Sequence, residues 1–359
     1  MKIKSLHIKN FKSLVDVEIV DPNPFTVFVG ANGVGKSNIF EAIEFVNYCS
    51  TTFFDSAVRA FGGEKDIAND LNEIFHFEAG FGQVGEIEEF DSFFVTDFIQ
   101  GKALTKYYRG KGHNFDNQLP PNNQNFYPGG NAHRISINLE TGEKIYPNDS
   151  QRQFFGSFTH LFIKAFHKEV SKYSDDKSLG LSASNLESVL KRLLQDENKK
   201  EDMLDWLRLF IPEFENVEVH SDDIAGTNTL QVYEKNSQRS FKKKLISDGT
   251  YNILCILTAV YQSDEPQFLC IEEPENGLTP GVIKEMVTLF RNACEEKGHY
   301  IWLNTHSQTL VSQLTSEEII TVDKIKGETK IKQFKGRDFH GLSMDEAWLT
   351  NSLGGGLPW

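Results

Sequence analysis

Cysteine is scarce: four in 359 residues, at Cys49, Cys255, Cys270 and Cys294. None forms a C-x-x-C pair or stands at zinc spacing from a histidine, which argues against a disulfide framework or a thiolate metal site and leaves reduced core thiols. Long apolar runs are missing as well. Nowhere do eighteen apolar residues follow one another, and nothing behind Met1-Lys2-Ile3-Lys4 resembles a secretory leader, so the expectation is a cytoplasmic protein with no membrane partner. Positive charge is in deficit. With 37 Lys and Arg against 51 Asp and Glu, the formal charge of −14 opposes non-specific attraction to nucleic acid or anionic lipid. The middle of the chain has neither an internal repeat nor a sustained heptad pattern, which argues against a coiled-coil arm.

What is present is the composition of a folded protein, 39% hydrophobic and 12% aromatic with 29 Phe, in a length that suits one large domain or two ordinary ones. Within it lies Gly30-Ala31-Asn32-Gly33-Val34-Gly35-Lys36-Ser37, a full G-x-x-x-x-G-K-[ST] phosphate loop. Its context supports the motif. Phe25 to Val29 before it reads as a strand, and Ile39, Phe40, Ile43 and Val46 after it form the stripe of a core-facing helix. Gly30, Gly33 and Gly35 let successive N–H groups curl around a phosphate at a helix N-terminus, where the dipole favours anions. Lys36 adds a point charge there, and the Ser37 hydroxyl suits Mg²⁺.

Two antiparallel strands are expected first, since Leu6 and Ile8, then Val15, Val17 and Ile19, alternate with polar residues. In the middle section Phe158, Leu161, Phe162, Ala165 and Phe166 are read as one helical stripe, and Leu186, Val189, Leu190, Leu193 and Leu194 as another. Ser184 and Glu187 have capping-box spacing for the second, and Met203, Leu207 and Phe210 continue the helical pattern to Pro212. The Asn, Gln, Pro and Gly-rich stretch between His113 and His133 reads as a long loop. From about 241 the chain reads helix, strand, helix, strand. Phe268 to Ile271 is a short buried strand ending in Glu272 and Glu273, Thr279-Pro280 starts a helix, and Ile301 to Leu303 is a strand running to Asn304-Thr305-His306. Polar groups thus gather at strand carboxyl ends, where open α/β sheets bind ligands.

A nucleoside triphosphatase needs an acid in the Mg²⁺ shell and a group that receives the attacking water. Glu272 and Glu273 fit those two tasks, and His306 fits a γ-phosphate sensor. Ser247-Asp248-Gly249 opens another apolar helix and makes a second anion site in a chain that already has one. A second site of this kind suits a nucleotide held by another copy.

These residues resemble the ABC-type ATPase heads of the SMC, RecF and overcoming-lysogenization-defect group. The resemblance covers about 1–50 and 240–320, including Ile8-Lys9-Asn10-Phe11-Lys12-Ser13. It implies ATP and Mg²⁺ as cofactors, with Gly30, Asn32, Gly33, Gly35, Lys36, Ser37 and Asn38 on the nucleotide. It implies Ser37 and Glu272 toward the metal, Glu273 as catalytic carboxylate and His306 as switch histidine. Ser247 and Gly249 would be the signature read across a head-to-head homodimer, and Asn276-Gly277-Leu278 the D-loop. Glu272 stands where many relatives carry Asp, and Thr279 where near relatives carry His. No Asp-x-Asp pair follows His306, so the TOPRIM nuclease of the overcoming-lysogenization-defect family is expected to be missing. The tail from Trp348 to Trp359 resembles the Trp and Gly-Gly endings of stand-alone anti-phage ATPases, which implies a separate effector encoded nearby.

Other phosphate-loop classes fit less well. The guanine motif Asn-Lys-x-Asp is missed by Asn198-Lys199-Lys200-Glu201, and a small-molecule kinase has no use for Ser247-Asp248-Gly249. The expected fold is α/β, a P-loop NTPase with an ABC-ATPase-like head: N-terminal antiparallel strands, a mainly parallel core sheet and a mostly helical insertion. The core is placed at 1–50 and 236–335, the inserted lobe at 51–235 and the tail at 336–359. The expected function is an ATP-hydrolysing switch that gates an effector, a nuclease or toxin. The alternatives are a RecF-like DNA clamp using Lys2, Lys4, Lys9, Lys12 and Lys242 to Lys244, or an ATP-bound scaffold with little turnover. Gln151 and Gln153 are candidates, by position only, for the glutamine that senses Mg²⁺.

Overall fold

The computed structural model describes residues 2–51, 54–70, 74–82, 91–99, 102–110, 136–137, 144–145, 156–163, 176–222 and 227–354. Strands β1 (Lys2–Phe11), β2 (Leu14–Val20) and β3 (Phe25–Val29) lead through the glycine loop to helix α1 (Lys36–Thr51). Two short helices, α2 (Phe54–Ala60) and α3 (Glu64–Ile67), precede β4 (Phe75–Gly82), β5 (Asp91–Ile99), β6 (Lys102–Gly110), β7 (Ser136–Ile137) and β8 (Lys144–Ile145). Next come β9 (Phe158–Leu161), α4 (Leu186–Leu193), α5 (Glu197–Phe210), β10 (Phe214–Asp222), β11 (Thr227–Glu234) and β12 (Phe241–Lys242). The last third holds α6 (Asp248–Tyr261), β13 (Phe268–Glu272), α7 (Pro280–Lys297), β14 (Tyr300–Thr305), α8 (Gln308–Val311), β15 (Ile319–Ile325), β16 (Glu328–Gln333) and α9 (Met344–Leu349). These elements form two compact units. One comprises Met1–Asn23, Gly33–Gly156 and Val322–Gln333, the other Pro24–Asn32, Ser157–Thr321 and Phe334–Trp359.

The first unit is built on the antiparallel order β2-β1-β4-β5-β6. The expected opening hairpin is present, with Ile8 opposite Val17 and Leu6 opposite Ile19. Val17 and Ile19 are buried while Asp16 and Glu18 face solvent, the outcome of a period-two pattern. Ile39, Phe40, Ile43 and Val46 of α1 are all buried, as their spacing predicts. Phe11, Phe45 and Phe75 meet with ring centroids 5.6 to 6.0 Å apart. Each such ring contributes about 2–3 kcal/mol of burial, so this part of the core draws directly on the phenylalanine-rich composition.

The second unit is built on five parallel strands in the order β15-β3-β14-β13-β9, β15 entering it through Ile319–Thr321. β3, β13 and β14 are buried at every position, which is why they read as continuous apolar runs rather than alternating ones. Helix α7 begins at Pro280 and ends at Gly298, whose φ of +67° supplies the left-handed C-terminal cap. Because the strands are parallel, the phosphate loop after β3, Glu272–Glu273 after β13 and His306 after β14 all leave the sheet at its carboxyl edge.

Four expectations change. Phe158 and Leu161 belong to a strand, not a helix: β9 pairs in parallel with β13, Phe158 opposite Phe268 and Leu161 opposite Ile271. Phe158, Leu161 and Phe162 keep a helical spacing, and nothing in the short stretch Phe158-Thr159-His160-Leu161 signals the strand pairing that buries all four residues. Ala165 and Phe166 lie outside the described residues. The capping box at Ser184 is not formed either; Asn185 is the N-cap of α4, and its side chain is taken by the preceding turn, accepting from Gly180 N at 2.9 Å and donating to Ser178 O at 2.8 Å. The 51–235 stretch expected to be mostly helical carries β4 to β11 beside α2 to α5, and β9 joins the core sheet. The expected boundaries at 50, 235 and 335 accordingly do not coincide with the two compact units.

Helix α5 runs to Phe210 as expected, and Trp348 and Leu353 of the tail are buried. The stretch from 113 to 133, Gln151, Gln153 and the last five residues lie outside the described residues. No helix among the described residues is long and apolar enough to cross a membrane.

Candidate active site

Gly30–Asn32 of the phosphate loop belong to the second unit and Gly33–Ser37 to the first. Gly33 and Gly35 adopt φ of +77° and +104°, values that a Cβ would strain. A Cβ at Gly35 would also come within 2.1 Å of Thr329 Oγ1. Lys36 is buried at 8% exposure, while Asn32 and Gly33 are exposed at the loop's outer bend. Ser37 and Asn38 follow in the first turn of α1, which carries no acidic residue, so the positive end of its dipole is left for an anion.

At the end of β13, Glu272 is buried at 7% exposure, and its Oε1 lies 2.9 Å from Nε2 of His160 on β9. Where the Glu272 carboxylate is ionised it can only accept, and Nε2 of His160 is then the donor. Glu273 is one residue further out and half-buried. Its φ of +46° is in the left-handed region, a strain of about 1–3 kcal/mol for a residue with a Cβ. Asn304 holds that turn, accepting the Glu273 N–H at its own carbonyl (3.0 Å) and at Oδ1 (3.2 Å). Asn276 donates to Glu273 Oε2 at 2.9 Å, and His306 Nδ1 lies 3.6 Å from Oε1. Glu275 accepts from the Thr305 hydroxyl, and burial pushes its carboxyl above the usual range.

Ser247 caps α6, its hydroxyl accepting from Thr250 N at 3.1 Å, and remains exposed beside Leu245, a large apolar side chain at 71% exposure. Gly249 is buried against the next turn: a Cβ there would stand 2.4 Å from the carbonyl oxygen of Gly277. Asn252, one turn along α6, donates to the carbonyls of Pro274 and Asn276, both at 2.8 Å. The proposed signature helix and D-loop are therefore tied to each other and, through Asn276, to Glu273.

The family described as "AAA domain, putative AbiEii toxin, Type IV TA system" matches residues 25–312. The chain belongs to this AAA family. The DNA replication and repair protein RecF of Lactococcus lactis subsp. cremoris (strain SK11) is 25% identical over 292 residues, covering 76% of this chain and 73% of that protein. The SMC head domain from Thermotoga maritima shares the fold, with a TM-score of 0.51 at 15% identity over 93% of this chain and 99% of that one. A Pyrococcus furiosus Smc head with an extended coiled coil, bound to the C-terminal domain of ScpA, gives 0.56 at 14% identity over 96% and 97%. This AAA protein thus has an SMC/RecF-like ABC ATPase head.

In this AAA chain Glu272, Glu273, His306, Ser247 and Gly249 all belong to the second unit, where His306 reaches Glu273 and Gly249 packs against Gly277. Sequence reasoning missed His160, Asn252, Asn304 and Glu275. Asn304 and Glu275 were legible as polar residues at strand ends beside the glutamates; His160 was hidden by the misread strand. The Ser37 hydroxyl and the Glu272 carboxylate are each hard oxygen donors of the kind that Mg²⁺ accepts. Among the described residues no group of three or more His, Cys, Asp or Glu is placed to hold a metal ion.

His160→Ala removes a buried, charge-assisted bond to Glu272. The expected outcome is a lowered thermal midpoint, corresponding to about 2 kcal/mol, together with a higher Mg²⁺ requirement for turnover. His160→Gln, which can restore an N–H at similar reach, should recover part of both; an unchanged Mg²⁺ requirement in His160→Ala would detach His160 from the acid.

Proposed function

We propose that this protein is an ATP-hydrolysing switch whose heads pair around two nucleotides and gate a separate effector protein, a nuclease or toxin. The observation that carries the reading is the tie between the exposed Ser247 helix end and the Glu273 turn, made by Asn252, Gly249 against Gly277, and Asn276. A helix N-terminus aimed at solvent suits a phosphate supplied by a second copy, and Leu245 beside it suits burial on pairing.

In the proposed cycle Lys36 and the loop N–H groups hold the β- and γ-phosphates. Glu273, held in position by Asn276 and Asn304, orients water and takes its proton as the oxygen attacks the γ-phosphorus and the β–γ bridge breaks. His306 senses the γ-phosphate. Ser37 and Glu272 are the residues that would hold Mg²⁺, which would supply charge neutralisation at the transferred group. Light scattering in ATP, ADP and no nucleotide tests the pairing. Mass doubling with ATP alone is expected, and a constant mass in all three would reject it. Phosphate release should rise when a neighbouring gene's product is added.

A RecF-like DNA clamp is the second reading, favoured by the 25% identity to RecF. The lysines offered for it are largely engaged. Lys2 pairs with Asp21 at 2.6 Å, Lys9 with Asp16 at 3.6 Å, Lys12 with Glu41, and Lys243 with Glu187 at 2.9 Å. ATP-dependent DNA binding that falls steeply with salt would nonetheless support the clamp.

A further inference from the structure

The opening motif Ile8 to Ser13 has no task in the proposed cycle, yet its last residue enters a run of hydrogen bonds that ends on the phosphate loop. Asn38 Nδ2 lies 2.7 Å from Ser13 Oγ, Ser13 Oγ lies 2.6 Å from Thr329 Oγ1, and Thr329 Oγ1 lies 2.8 Å from the carbonyl oxygen of Val34. The direction of each bond follows from what each group can donate. A carbonyl only accepts, so Thr329 gives its single proton to Val34, Ser13 gives its proton to Thr329, and the Asn38 amide gives one to Ser13. Every proton in the run is used once. Thr329 is fully buried on β16, and its own N–H is fixed by the Ser13 carbonyl at 2.8 Å, so the hydroxyl has a set position.

The consequence lies in the peptide joining Val34 to Gly35. Among the described residues no peptide bond is cis, and in a trans peptide the C=O and N–H point to opposite sides of the chain. Drawing the Val34 carbonyl toward Thr329 therefore turns the Gly35 N–H to the opposite side, the inner side of a loop that curls around a phosphate. The same contact explains why position 35 admits only glycine: a Cβ there would meet Thr329 Oγ1 at 2.1 Å and Ser13 Oγ at 2.6 Å.

We propose that Thr329, with Ser13 behind it, is a positioning residue for nucleotide binding: it orients the Gly35 N–H toward the phosphate, so that a hydroxyl on the β15–β16 hairpin sets the ATP affinity of the loop. This rests on the reading of that loop as a nucleotide site. Residues 13, 34 and 329 come from three distant parts of the chain, and all belong to the first unit.

The test compares Thr329→Val, which keeps the shape and removes the proton, with Thr329→Ser, which keeps the proton, in the full chain. The reading is the dissociation constant of a fluorescent ATP analogue, with Mg²⁺ and again in chelator. About ten-fold weaker binding is expected for Thr329→Val under both conditions and a change within about two-fold for Thr329→Ser, with a lowered unliganded thermal midpoint for Thr329→Val and one near the unmodified protein for Thr329→Ser. Ser13→Ala, on a half-buried turn, covers the case in which Thr329→Val fails to fold; it should weaken binding by about three-fold. Wild-type affinity in Thr329→Val, or in Ser13→Ala where the first does not fold, overturns the positioning role while leaving the nucleotide site standing. Absence of binding by the unmodified protein itself overturns both.

Discussion

Glu273→Gln is expected to lower steady-state phosphate release at least about 100-fold while ATP stays bound, so that ATP-loaded pairs accumulate on size exclusion. The change removes one function and little else. An amide oxygen can still accept from Asn276 Nδ2, as Glu273 Oε2 does at 2.9 Å, and glutamine tolerates the left-handed φ of +46° no worse than glutamate. The backbone N–H keeps both Asn304 contacts. What is lost is the ability to take a proton from the attacking water, a contribution of about 10²–10⁴ in rate. Turnover near the unmodified level would remove Glu273 from the chemistry. Negligible turnover in the unmodified protein, with ATP bound, would instead favour an assembly scaffold.

Gly249→Ala should separate binding from hydrolysis. The added Cβ would stand 2.4 Å from the Gly277 carbonyl oxygen, closer than real Cβ contacts, and the obstacle is backbone. The turn cannot yield without cost, because Asn252 holds the carbonyls of Pro274 and Asn276, just before Gly277, at 2.8 Å. The expected result is a loss of turnover of about 30-fold or more and loss of ATP-dependent pairing, with ATP affinity of the single chain within about three-fold of normal, since no phosphate-loop residue is touched. Unchanged turnover would reject the signature assignment. Equal losses of affinity and turnover would mean that the substitution unsettles the whole unit.

Much of the site was legible because its chemistry is local in sequence. Gly30 to Ser37 specify a loop, a dipole and a cation within eight residues, and Glu272–Glu273 follow the apolar run Phe268 to Ile271, which Pro274 closes. Phe158 to Leu161 was misread because Phe158, Leu161 and Phe162 keep a helical spacing, and only pairing with Phe268 to Ile271 makes the segment a strand. The Ser184 cap failed for a related reason: Asn185, one residue on, is held by Gly180 and Ser178, and that turn outweighed a spacing rule.

By itself, then, the sequence determined the class of chemistry: the phosphate loop, the glutamate pair, the second glycine-led helix end and an acidic, cysteine-poor chain are written in adjacent residues, where backbone preference and side-chain type suffice. Only the tertiary structure decided what orients those groups. His160 on Glu272, Asn304 and Asn276 on Glu273, Asn252 on the following turn, and Ser13 with Thr329 on Val34 are contacts between residues that are, with the exception of Asn276, tens to hundreds of positions apart. A hydrogen bond depends on distance and direction in space, and those are fixed only when strands from separate parts of the chain pair in register and bring their ends together.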